Sequence, residues 1–97
     1  MTVKVKTTPF DSAEILDSPE AIAAYLGDAI ASGDAAEFQD ALNVVARARG
    51  MTEIAKTAGL GRENLYNALR PGAHPRFDTI QRVVAALGVR LTVQTNA

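Results

Sequence analysis

The chain contains no cysteine, no tryptophan, a single histidine and only five other aromatic residues in 97 positions. Without thiols it forms no disulfide and offers no thiolate metal centre. His74 has neither a cysteine nor a second histidine to share a metal with, and reads as a surface-loop residue. Scarce aromatics with abundant alanine argue against a β-sandwich and for small, closely packed helices. No apolar run approaches the roughly 20 residues that span a bilayer, and no signal peptide opens the chain. The expectation is a cytoplasmic protein with no membrane partner. Gly59-Leu60-Gly61 begins like a dinucleotide-binding loop, but Asn64 stands where the third glycine belongs and no strand precedes it. Ser12, Ser18 and Ser32 have no base beside them in sequence. No cofactor, no metal and no enzymatic activity are therefore expected.

What is present is 47% apolar and 22% charged, the balance of a globular chain. The length suits one domain, 1–97, with a modest core. It divides into an N-terminal arm (1–17), two acidic helices (18–50), a helix-turn-helix (51–70), and a loop, last helix and C-terminal strand (71–97). The net charge of −1 conceals a segregation: residues 1–46 carry −6 and residues 47–97 carry +5. A basic half suits phosphates, and an acidic half facing away from them suits a basic protein partner. Two solvated faces segregated by chance are the plainer account.

Local signals place the elements. Thr2 to Lys6 alternates apolar and polar residues, as a short strand or extended arm does. Ser18-Pro19-Glu20 is a helix start, with Ile22, Tyr25, Leu26, Ala29 and Ile30 on one stripe. That stripe reads as core, with part of it available to a partner. Asp34 with Glu37 resembles a capping box ahead of Phe38, Ala41, Leu42 and Val45. Thr52 is expected to cap the next helix, and Asp78 with Gln81 to open the last, whose inner face is Ile80, Val83, Val84 and Leu87. Val89, Leu91 and Val93 alternate with Arg90, Thr92 and Gln94 as a second strand. The fold class expected is all-α, five helices flanked by short terminal strands or arms, the strands pairing within one chain or across a two-fold axis.

The stretch Met51 to Arg70 carries the function. Ala55 lies four residues before Gly59, and Ile54, Ala58 and Leu60 flank a three-residue turn. Leu65, Ala68 and Leu69 form one stripe of the following helix. A small residue where two helices cross, and a glycine free to adopt the left-handed backbone, is the pattern of a DNA-reading helix-turn-helix. It is also an ordinary corner in helical proteins. On the DNA-binding reading, Arg62, Glu63, Tyr66 and Asn67 face bases: Arg62 toward guanine or a phosphate, Asn67 toward adenine, Glu63 toward cytosine N4 or in rejection of wrong sequences, and Tyr66 toward a thymine methyl or a phosphate unless it tucks against the body. Thr52, through helix-start amides, and Lys56, Arg70 and Arg76 face phosphates.

From Thr7 to Val93 the chain resembles the antidote proteins of bacterial addiction modules. The resemblance rests on Thr8-Pro-Phe-Asp-Ser-Ala-Glu14, Leu16-Asp-Ser-Pro-Glu-Ala-Ile-Ala-Ala-Tyr-Leu26, Ala46-Arg-Ala-Arg-Gly-Met-Thr-Glu-Ile-Ala55 and Pro75-Arg-Phe-Asp-Thr-Ile80. It looks like the HigA type, with a lambda-repressor-like (Xre/Cro-like) helix-turn-helix. That resemblance implies a dual role: neutralising a RelE/HigB-like toxin that cleaves messenger RNA, and repressing its own operon by binding operator double-stranded DNA, most simply as a homodimer. The alternative is a stand-alone transcription regulator with no toxin; a pure protein-interaction module is a third. One departure concerns Gly61, which stands where a serine or threonine cap is common and removes a hydroxyl able to reach phosphate.

Overall fold

The computed structural model describes residues 16–95. Their regular structure is entirely helical: α1 (Pro19–Ala31), α2 (Ala35–Arg49), α3 (Met51–Ala58), α4 (Arg62–Leu69) and α5 (Phe77–Ala86). The α1 start forms as its sequence dictates, since the Ser18 hydroxyl accepts from the Ala21 amide at 3.1 Å and Pro19 takes the first helical position. Asp34 caps α2 by accepting from the Ala36 amide at 2.9 Å.

The α1 helix packs along α2, α2 also meets α3 and α4, and α3 meets α4 and α5. Their apolar stripes close one core. Leu16, Ile22, Leu42, Val45, Leu65, Leu69 and Val83 are its large, fully buried side chains. Ala55 is 3% exposed in the same cluster, consistent with a small residue being needed there. No helix among the described residues is long and apolar enough to cross a membrane.

The turn between α3 and α4 is Gly59-Leu60-Gly61, three residues as expected. Gly59 sits at φ 74°, ψ 30°, and the Leu60 amide donates back to the Ala55 carbonyl at 2.9 Å. This is the Schellman arrangement that ends a helix and reverses the chain. A Cβ at Gly59 would meet nothing within 4 Å. Gly59→Ala therefore meets only backbone strain and should cost about 1–2 kcal/mol. Urea denaturation measures it, and a neutral result would mean the turn relaxes out of the left-handed region.

Three expectations are corrected. Residues 89–93 form no strand: among the described residues no other strand lies alongside to complete a ladder, and alternation alone satisfies no backbone group. Val89 and Leu91 still pack on the core, whereas Val93 is 97% exposed. Thr52 is not a cap. Gly50, at φ 103°, ends α2 and begins α3, and its carbonyl accepts from the Ile54 amide at 3.0 Å, so Thr52 falls one residue inside the helix. Asp78 does not open the last helix either; Arg76 is the cap residue and Phe77 the first helical one, leaving Asp78 in the first turn. The N-terminal arm, including the Thr2–Lys6 alternation, lies outside the described residues.

Candidate nucleic-acid interface

The α4 helix is seated by its inner stripe. Leu65 and Leu69 are fully buried and Ala68 is half-buried. Since residues three and four apart share a helix face, this fixes the opposite face outward. Arg62, Glu63, Asn64 and Asn67 are exposed there, and Tyr66 is half-buried with its ring against the core. An outer face carrying a guanidinium, a carboxylate and two amides has the donors and acceptors that base edges pair with.

Tyr66 is a joint rather than a free reader. The Arg62 Nη2 donates to its hydroxyl at 3.3 Å, and the Arg62 guanidinium lies 5.4 Å from its ring centroid. A second guanidinium, from Arg47, lies 5.2 Å from the same centroid. Arg47 comes from the last turn of α2, where its Nε donates to the Asn43 Oδ1 at 3.2 Å. Each stacking contributes about 0.5–1 kcal/mol at an exposed site. Two cations sharing one ring, neither ion-paired among the described residues, concentrate positive charge beside α4. A phosphate would relieve their mutual repulsion. Arg47 escaped the sequence reading because it is 19 positions from Tyr66 in the chain; only the packing of α2 on α4 joins them.

The expected phosphate residues sit on separate elements. Thr52 and Lys56 are exposed on α3. Arg70 is exposed immediately after α4, and its carbonyl accepts from the Gln39 Nε2 at 3.0 Å, tying the end of α4 to α2. Arg76 is paired with Asp78 at 3.3 Å, with both side chains largely exposed. A surface pair of this kind contributes about 0–1 kcal/mol, so Arg76 exchanges partners at little cost.

Among the described residues the architecture is all-helical, and α3 and α4 form a tight corner with a polar, cation-bearing outer face. Residues 6–95 match the family model described as "probable addiction module antidote protein", and the chain belongs to that family. Membership implies a toxin partner. A protein of Haemophilus influenzae (strain ATCC 51907 / DSM 11121 / KW20 / Rd), described as uncharacterized, is 40% identical over 94 residues, covering 97% of this chain and 95% of that one. No solved structure matches the chain.

Proposed function

We propose that the chain is the antitoxin of a type II toxin–antitoxin module, a binding protein rather than an enzyme. It neutralises a RelE/HigB-like, mRNA-cleaving toxin. It also autorepresses its operon, binding operator duplex as a homodimer through a HigA-type, Xre-like helix-turn-helix. The observation that carries the DNA half is the seating of α4: Leu65 and Leu69 are fully buried, and Arg62, Glu63 and Asn67 are exposed on the face they leave free. Membership in the antidote family supports the toxin half.

In this reading Arg62 and Asn67 contact bases, Tyr66 positions Arg62, and Glu63 accepts from cytosine or rejects wrong sequences. Lys56, Arg70 and Arg76, with the α3 amides at Thr52, hold phosphates, and Arg47 joins them. Arg62→Ala and Asn67→Ala should each weaken operator binding by about 1–3 kcal/mol and random DNA by less. Titration of both duplexes checks this, and equal loss on both would remove these residues from base readout.

The deciding experiment is co-expression with the product of the neighbouring gene and purification through a tag on one of them. A stable complex that retards upstream DNA establishes both halves. Retardation without a co-purifying protein leaves a stand-alone regulator, and a complex with no salt-dependent DNA affinity leaves a protein-interaction module.

A further inference from the structure

Four side chains from two helices form one chain of contacts beside the outer face of α4. The Asn43 Oδ1 accepts from the Arg47 Nε at 3.2 Å. The Arg47 guanidinium lies over the Tyr66 ring, 5.2 Å from its centroid. The Tyr66 hydroxyl in turn accepts from the Arg62 Nη2 at 3.3 Å. Asn43 and Tyr66 are half-buried, and Arg47 and Arg62 are exposed. The chain of contacts therefore starts within α2 and ends on a side chain proposed to read bases.

We propose that Asn43 is a positioning residue for that reading: it sets how well α4 discriminates between sequences without touching DNA itself. The inference rests on the operator function proposed above. A free arginine samples many rotamers, and its planar guanidinium makes paired contacts only when the plane is set. Asn43 lies four residues before Arg47 on α2, so the two share a helix face. Its oxygen takes the Nε–H and leaves the terminal N–H groups of Arg47 to an incoming phosphate. Arg47, so held, fixes the tilt of the Tyr66 ring and with it the place where the hydroxyl meets Arg62. The residue type suits the task. A neutral amide orients Arg47 without cancelling its charge, and among the described residues neither guanidinium is ion-paired. An aspartate would orient Arg47 equally well but would neutralise it.

Two substitutions separate these consequences. Asn43→Ala removes the acceptor and keeps the charge of Arg47. It should weaken binding to a duplex from the DNA immediately upstream of the gene by about five- to tenfold, leave a scrambled duplex of equal length unaffected, and leave the salt slope unchanged. Asn43→Asp keeps the acceptor and pairs with Arg47. It should preserve the preference for upstream DNA and flatten the salt slope by about one unit per copy. Neither should lower the thermal melt, because alanine favours the helix and an Asp–Arg pair at this spacing supports it. Equal loss on both duplexes, or an Asn43→Ala protein indistinguishable from the unsubstituted one, overturns the proposal. The contacts are also read without DNA: the Arg47 side-chain protons lie over the Tyr66 ring and should be shifted upfield by its ring current, and Asn43→Ala should abolish that shift. A shift that persists in Asn43→Ala overturns the proposal and leaves the operator reading standing. A shift that responds as expected, in a protein with no preference for upstream DNA, removes the operator reading and the role of Asn43 with it.

Discussion

Leu65→Ala should destabilise the protein by about 2–5 kcal/mol, the cost of a buried leucine truncated to leave a cavity. Leu65 has no exposed surface and belongs to the cluster that includes Leu42, Val45, Leu69 and Val83. It projects from α4 onto that cluster, so its side chain both closes the core and sets the orientation of the outer face. Domains of this size are held by only about 5–15 kcal/mol, so the substitution removes a large share of the total. A lowered urea midpoint at unchanged slope is the expected signature. If α4 reads operator DNA as proposed, the operator affinity of the fraction that remains folded should fall as well, through loosened placement of Arg62 and Asn67. A cost under about 1 kcal/mol would mean that α4 is not held by this residue, a result the usual range for buried leucine does not allow. Asn67→Ala, on the exposed face, is the matching control: it should leave the urea midpoint in place while weakening operator binding.

The second large effect is on salt dependence. If Lys56, Arg70 and Arg76 each neutralise a phosphate in both copies of a dimer, operator affinity should fall with salt at a log–log slope of about −5, and by about a thousandfold between 50 and 200 mM. Replacing Lys56 with glutamine should flatten the slope by about one unit per copy and weaken operator and random duplex alike. Arg47→Gln provides the sharper comparison. Arg47 stacks on Tyr66 beside Arg62. Its loss should lower the slope and also free Tyr66, reducing discrimination between operator and random DNA. A slope unchanged by either substitution would take that residue off the phosphate backbone.

Much of the local architecture was legible because its causes act within one or two turns of chain. Ser18-Pro19 and Asp34 start helices by satisfying amides two or three residues on, so the cap and its partner sit in one short stretch of sequence. Gly59 ends α3 for the same kind of reason: a left-handed residue is needed, and glycine adopts that backbone without strain. The inward stripe of α4 followed from helical spacing, and that spacing also indicated which of its side chains face outward. The antidote family itself was legible from short matching stretches, and the match over residues 6–95 bears it out.

Where the local rules competed, packing settled the result. Thr52 carries a better capping side chain than Gly50, yet Gly50 takes the position because one positive-φ residue both ends α2 and begins α3. The alternation of residues 89–93 suggested a strand, but a strand is a relation between two segments, and nothing in a single segment supplies its neighbour. The cationic cluster on Tyr66 needs α2 laid against α4, and the tie from Gln39 to the Arg70 carbonyl spans 31 positions. An apolar groove likewise draws Ile30, Phe38, Phe77 and Leu91 from four separate parts of the chain. Caps, turns and periodic faces are short-range and are written in neighbouring residues. Which faces meet depends on the packing of whole helices, and that is where Arg47 joined the candidate interface and Ile30 and Phe77 were left in solvent.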